Sequence, residues 1–238
     1  MTTKSMRIAI AGAGNVGTYV ASDLLNKGHE IVLIEQNRDL VETLSRELDA
    51  SWIVGDACEL YTLDACVLSS CEVMVAATGD DEDNLVISLL AKQEFAVPRV
   101  VARVNHPDNE WLFTESWGVD VAVSTPHLLT SLVEEAVSIG DLVQLLKLEQ
   151  GKVALLEVTL AEGSPADGVT IEDLKMPPDC TIVAVVRDRH VIAPGPETPL
   201  RAGDEVLALA TTEAEVDLRR VLTGEEGDGP EHGTRSGT

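Results

Sequence analysis

Aromatic side chains are scarce in this sequence: 238 residues include 2 Phe, 2 Tyr and 3 Trp. Hydrophobic residues still make up 45% of the chain, so most of it can bury a core, and that core must be aliphatic, built from Val, Leu, Ile and Ala. Cations are scarce as well. Lys and Arg number 17 against 41 Asp and Glu, a formal net charge of −24, and the acidic residues run through both halves of the chain. Such a surface cannot neutralise nucleic-acid phosphates, so a nucleic-acid partner is excluded, and an anionic membrane surface is disfavoured for the same reason. No run approaches the ~20 apolar residues that span a bilayer. The first residues, Met1 to Arg7, contain no signal-peptide core. These absences predict a cytoplasmic protein with no direct membrane insertion. Cys58, Cys66, Cys71 and Cys180 form no CxxC pair, which predicts reduced thiols and neither a disulfide scaffold nor a zinc site. None of the 5 histidines falls into an HExxH pattern, and no GxSxG or Cys/His nucleophile pairing occurs.

What is present is an alternation of short apolar runs with segments of helical period. Ile8–Ala11, Ile31–Glu35, Ser51–Val54, Val73–Ala77, Val100–Val104 and Val119–Val123 read as strands apolar on both faces, as in a parallel sheet covered by helices. Between them, sets such as Val16, Val20, Leu24 and Leu40, Leu44, Leu48 have helical spacing. Six such units in order predict an α/β, Rossmann-type doubly wound parallel sheet over residues 1–124. From Ser124, Thr125 and Pro126 a further helix is expected over 125–150, its period running to about Leu148 with an interruption at Gly140. Its apolar surface exceeds what one domain's flank needs: it leaves its own domain to pack on a partner, or is buried under a second domain. Residues 151–222 read as a small α+β domain, with strands at Val153–Leu160, Ile182–Val186, Val191–Ile192 and Val206–Ala210. Residues 223–238 are polar, Gly-rich and aperiodic, the pattern of a disordered tail.

The strongest local signal is Gly12, Gly14 and Gly17 in AIAGAGNVG, a GxGxxG directly after the first strand and opening the helix from Val16. Gly12 permits a tight turn, Gly14 lets a pyrophosphate approach the backbone, and Gly17 lets helix and strand pack closely. Glu35 ends the second strand, where its carboxylate can accept from ribose hydroxyls and disfavours a 2′-phosphate, although Arg38 lies nearby. Gly55, Asp56 and Ala57 follow the third strand; Thr78, Gly79 and Asp80 follow the fourth, with Asn84 one turn into the next helix. Arg103, near the end of the fifth strand, can reach a terminal phosphate. Alone, Asp56 and Asp80 read equally as turn and N-cap residues and Arg103 as an ion-paired strand residue. Their placement at successive strand ends favours a nucleotide. A hydride-transfer enzyme would also need a His, Lys or Tyr facing the nicotinamide, and the strand ends offer none, so a nucleotide sensor fits better than an NAD-dependent oxidoreductase.

The order AGAGNVG, Glu35, GDA at 55–57, ATGDDEDN at 77–84 and VARVN at 101–105 resembles the N-terminal nucleotide-binding domain of TrkA and KtrA type regulators of potassium conductance, the RCK family. Gly168, Val169, Thr170, Leu174, Pro177, IVAVVR at 182–187 and PGPETPLRAGDEV at 194–206 resemble the C-terminal RCK domain. The resemblance covers about residues 6–222, one copy of each domain. It implies a soluble, non-enzymatic gating subunit, peripheral to the inner face of the cell membrane, that assembles as homodimers into a ring beneath a TrkH or KtrB type potassium channel or transporter and responds to NAD(H) or ATP/ADP. It also implies that the helix from Thr125 crosses between paired subunits. By position, Gly12, Gly14, Asn15, Val16 and Gly17 would cradle phosphates, Glu35 the ribose, Asp56 and Ala57 the adenosine, while Thr78, Gly79 and Asp80 flank the phosphates and Arg103 contacts the distal one. Asn15 stands where some ATP-gated members have Arg, which argues against a held γ-phosphate. His127 follows Pro126 where those members place a carboxylate that bridges a divalent cation, an ion that prefers oxygen ligands. Some relatives bind cyclic di-AMP between C-terminal domains, and Val186, Arg187 and His190 occupy the corresponding region.

Overall fold

The computed structural model describes residues 4–137, 139–148 and 152–224. The chain forms two compact units, and the division falls after His127. In the first, β1 (Arg7–Ala11), β2 (Glu30–Glu35), β3 (Ser51–Val54), β4 (Val73–Ala76), β5 (Arg99–Val104) and β6 (Val121–Ser124) form a parallel sheet in the order β3-β2-β1-β4-β5-β6. The helices α1 (Asn15–Asn26), α2 (Arg38–Leu44), α3 (Leu60–Ala65) and α4 (Asp81–Gln93) connect β1 through β5, and two 3-10 helices, Pro107–Leu112 and Glu115–Trp117, lead from β5 to β6. Strand alternation divides the continuous apolar runs into two cores. Ala9, Ala11, Val32 and Ile34 join Leu63, Leu68, Met74 and Ile87 on one face. Ile8, Ile10, Ile31 and Leu33 meet Ala21, Leu24, Leu40 and Leu44 on the other. Each fully buried Ile or Leu contributes about 1.5–3 kcal/mol, so the sheet needs no aromatic centre.

Local chemistry fixes where the helices begin. Asn37 Oδ1 accepts from the amides of Asp39 and Leu40 to cap α2, and Asp80 caps α4 through the amide of Asp83. Asp81, Glu82 and Asp83 fill the first turn of α4 and Lys92 its last, matching the helix dipole at both ends. Because the chain runs outward from β1 through β2 to β3 and then returns to β4 on the other side, the strand order reverses between β1 and β4. A crevice opens at such a reversal, outside the carboxyl ends of the strands.

The helix α5 (Thr125–Val137) follows β6. Here the structure corrects the expected helix to Leu148: α5 ends at Val137, and β7 (Val143–Leu148) pairs antiparallel with β8 (Val153–Thr159). Gly140 adopts φ +96°, outside helical space, and its amide donates to Thr159 O at 2.8 Å. A register shift between Gln144 and Leu146 breaks the period-two pattern of β7, so its apolar residues imitate a helix in sequence. The strands β9 (Cys180–Arg187), β10 (His190–Ile192) and β11 (Glu205–Thr211) complete an antiparallel sheet, order β10-β9-β11-β8-β7. Leu218 and Leu222 of α6 (Glu215–Thr223) join its core with Leu156, Val158, Val185, Val206 and Ala208. Residues 225–238, most of the expected disordered tail, lie outside the described residues.

A buried ion pair locks this second unit. Asp204, 1% exposed, receives Arg187 Nε on Oδ1 at 2.7 Å, and on Oδ2 Arg187 Nη2 at 2.7 Å and the amide of Arg201 at 2.8 Å. Burial opposes ionisation of Asp204, but the guanidinium and the amide outweigh it and hold the carboxyl below its ordinary value. Its stabilising contribution is therefore complete above the ordinary carboxylate pKa of ~4 and is lost as pH falls through the depressed value. Asp204→Ala leaves Arg187 without its counter-charge and is expected to cost about 3 kcal/mol at neutral pH. Urea unfolding of the full chain at pH 7 and pH 3 checks this: the difference between wild type and variant should be large at pH 7 and shrink in acid.

Candidate functional site

At the strand-order reversal lies a cavity of about 440 Å³, bounded by the ends of β1 to β4, the start of α1 and the side chain of Arg103. Its floor is built around glycine. Gly12 adopts φ +93°, and a Cβ there would sit 2.9 Å from Ala77 O. Gly14 is different: a Cβ there meets nothing within 4 Å, because it would point into open space at the cavity wall. Gly17 does not line the cavity at all. A Cβ on it would lie 1.9 Å from Gly12 O, so its role is to let α1 approach β1. The N-terminus of α1 has no side-chain cap and no carboxylate in its first turn, unlike α2 and α4. Its amides are thus open to an anion at the cavity.

Glu35 closes the loop from the other side. Its Oε2 accepts from the amide of Ala13 at 2.9 Å and its Oε1 from the amide of Asn37 at 2.8 Å. Each carboxylate oxygen retains acceptor capacity for a ribose hydroxyl. Asp56 Oδ1 accepts from the amide of Cys58 at 2.8 Å, forming the turn that presents Asp56 and Ala57 to the cavity. On the opposite wall, Thr78 Oγ1 receives the amide of Asp80 at 3.3 Å and donates to Asn84 Oδ1 at 2.8 Å. Arg103 reaches the lining from β5, and its buried Nε has no hydrogen-bond partner. A buried, unpartnered guanidinium nitrogen is costly unless an anion completes it.

Of the residues singled out in the sequence, Gly12, Gly14, Val16, Glu35, Asp56, Ala57, Thr78, Gly79, Asp80 and Arg103 line the cavity together. Four do not. Asn15 is exposed beside it, Gly17 is a packing residue, and Arg38 is exposed at the start of α2, away from the lining. Asn84 is fully buried: Oδ1 accepts from the amide of Thr78 at 2.9 Å and Nδ2 donates to Arg103 O at 2.9 Å, so it ties β4 to β5 instead of facing a ligand. Sequence reasoning missed Asp83, Gln36, Ile34, Leu40, Ala77 and Ile87. Asp83 was accessible from its spacing, one turn after the cap Asp80; the apolar members look like ordinary core. Among the described residues, four carboxylates and one cation, Arg103, line the cavity.

The remaining candidates divide similarly. Cys58 sits beneath Asp56 and Asp83; burial and those two carboxylates push its thiol up to about 12, so it stays protonated and unreactive at neutral pH. Burial pushes Cys66 to about 11 and raises Cys71 and Cys180 as well. His127 Nδ1 meets Glu110 Oε2 at 2.6 Å, and among the described residues no cluster of three or more His, Cys, Asp or Glu is arranged to hold a metal. In the expected second-ligand region the structure gives each residue a partner within the chain. Arg187 is engaged by Asp204 and by Pro199 O at 2.8 Å, Val186 lies inside the β9–β11 ladder, and His190 Nδ1 bonds Asp188 O. Sequence alone could not distinguish a free hairpin arginine from one paired across the sheet.

The glycines separate binding from folding. Gly14→Leu is expected to fill the cavity mouth and lower the affinity of any anion held at the start of α1 at least tenfold with thermal stability almost unchanged, whereas Gly17→Ala should lower the melting temperature by several degrees. Calorimetric titration and thermal melts of the two variants check this pair.

Two family models match the chain in order, the TrkA-N domain over residues 8–125 and the TrkA-C domain over residues 155–223. The Trk system potassium uptake protein TrkA of Mycobacterium tuberculosis is 52% identical over 217 residues, covering 91% of this chain and 98% of that protein. A TrkA homolog of Methanothermobacter thermautotrophicus is 32% identical over 219 residues, covering 92% of this chain and 100% of the homolog. Among solved structures, the GsuK channel bound to NAD shares the fold at TM-score 0.61 and 18% identity, covering 95% of this chain and 41% of that one. Matched by both domain models and alike along almost the full length of these relatives, the chain belongs to the TrkA family.

Proposed function

We propose that this protein is a nucleotide-binding regulatory subunit of a potassium uptake system. The observation that carries the reading is the cavity at the β1/β4 reversal, where the uncapped start of α1, the unpartnered Nε of Arg103 and the carboxylate of Glu35 converge. The ligand those groups suit is an adenine nucleotide or dinucleotide: NAD(H), or ATP/ADP. Its phosphates would rest on the amides after Gly14 and near Arg103, its ribose on Glu35, and its adenosine beside Asp56 and Ala57. The carboxylate of Glu35 disfavours a 2′-phosphate and hence NADP. Relatives named potassium uptake proteins support the transport context.

Regulation requires that the bound nucleotide distinguish two shapes of the subunit, because a ligand with equal affinity for both shifts nothing. The partner through which such a shift would act is a membrane potassium transporter subunit of TrkH or KtrB type. No helix among the described residues is long and apolar enough to cross a membrane, so the reading is a subunit held at the inner face by that partner. A second copy of the chain is the proposed companion of α5: Leu129, Leu132, Val133 and Val137 fall on one stripe of that helix and are 53–76% exposed. Arg187 being engaged by Asp204, the C-terminal unit offers no support for cyclic di-AMP.

Titration calorimetry with NAD+, NADH, ATP and ADP should give saturable binding of at least one of them, with no oxidation of NADH across a broad panel of carbonyl substrates. Robust turnover would instead favour the small oxidoreductase. Light scattering at micromolar concentration should give a dimer or larger; a monomer alone would remove the α5 pairing.

A further inference from the structure

Asp81 is the first residue of α4 and directly follows Asp80 of the cavity wall. It is 3% exposed, yet Asp80 already caps the helix, so the Asp81 carboxylate is free to act elsewhere. Oδ1 accepts from the amide of Asn105 at 2.6 Å and from Asn105 Nδ2 at 3.1 Å. Oδ2 accepts from the amide of His106 at 3.0 Å and from Asn109 Nδ2 at 2.9 Å. Every donor comes from the segment after β5. That segment continues into a 3-10 helix, Pro107–Leu112, none of whose residues is fully buried; Leu112 at its end packs against the core, while its start is held by the hydrogen bonds to Asp81.

Both ends of this arrangement reach further. Toward the cavity, Asn105 Nδ2 also donates to Thr78 O at 3.2 Å, and Asn84 joins Thr78 to the backbone of Arg103. Away from it, Glu110 of the 3-10 helix meets His127 in the first turn of α5 at 2.6 Å. A carboxylate can only accept, so Nδ1 of His127 carries the proton in that bond. Hydrogen bonds and chain adjacency thus link the cavity loop Thr78–Asp80 through Asp81 to Asn109, and, by way of the backbone from Asn109 to Glu110, to His127.

We propose that Asp81 is a positioning residue that couples occupancy of the cavity to the first turn of α5, with Glu110 and His127 as the final contact. The inference rests on the nucleotide reading of the cavity and adds the route by which that site would act. A ligand anion that engages Arg103 and the Thr78–Asp80 loop draws on the strand ends joined by Asn84. The rigid start of α4 passes the displacement through Asp81 to the 3-10 helix, and Glu110 carries it to α5. Spatial continuity alone does not demonstrate coupling, so the test must break the chain at two points.

Hydrogen exchange of the full chain, with and without saturating NAD+ and separately ATP, reads each station, alongside calorimetric affinities. In the wild type, the nucleotide that binds should slow exchange in Thr78–Asp83, in Pro107–Leu112 and in the first turns of α5. Asp81→Asn should keep affinity within about threefold while the response at Pro107–Leu112 and at α5 is lost. Asp81→Asn combined with Asn109→Asp, which reverses donor and acceptor, should restore part of both. Glu110→Gln and His127→Gln should keep the response at Pro107–Leu112 and lose it only at α5. A full α5 response in Glu110→Gln and His127→Gln overturns the proposal, and these exposed-side variants decide it even if Asp81→Asn fails to fold. Binding by the wild type with a silent α5 overturns the coupling alone. No binding of either nucleotide overturns the reading of the cavity and the coupling with it.

Discussion

The close approach of α1 to the end of β1 is the constraint on which the first unit depends. With Gly17 bare, the helix sits so near that a single added methyl would collide with the carbonyl of Gly12, and with Gly12 bare, the turn can pass against Ala77. Those contacts aim the start of α1 at the point where the strand order reverses. The carboxylate of Glu35 then ties the amide of Ala13 to that of Asn37, so the glycine turn and the loop after β2 are held together. The cavity is a by-product of strand topology, but its chemical character comes from this geometry: an uncapped helix start on one side, a carboxylate on the other, and a guanidinium held by the adjacent wall.

The opposite wall mixes Ala77 and Ile87 with polar groups, and the polar groups are ordered. Asn84 and Asp81 are buried, and their donors and acceptors are matched to partners on other strand ends. Burial disfavours the charged form of Asp81, yet bonds from Asn105, Asn109 and His106 hold the carboxyl below its ordinary value. A network satisfied in this way specifies one arrangement, because any slip leaves a buried group unpaired.

The parallel sheet was legible because strands buried on both faces must be apolar without interruption, and the runs at Ile8, Ile31 and Val100 meet that condition. The glycine turn was legible because each Gly answers a separate steric demand. Asn84 and Arg187 were not, since the same side chains serve equally well as ligand contacts or as internal braces, and only the identity of the partner across the fold decides between them. Asn84 proved to brace β4 against β5, and Arg187 to neutralise a buried carboxylate seventeen residues away. The strand β7 escaped because its bulge shifts two leucines out of alternation, leaving a spacing that a helix would also produce.

That bulge bears on the open margins of the second sheet. A sheet with open margins invites another chain to add a strand, and the antiparallel sheet has two such margins. One is β10, only three residues long; the other is β7, whose ladder is interrupted between Gln144 and Leu146. Neither offers a long regular row of unpaired amides and carbonyls. Strand addition is therefore blunted at β7 and at β10, so neither strand is a ready template for a further strand.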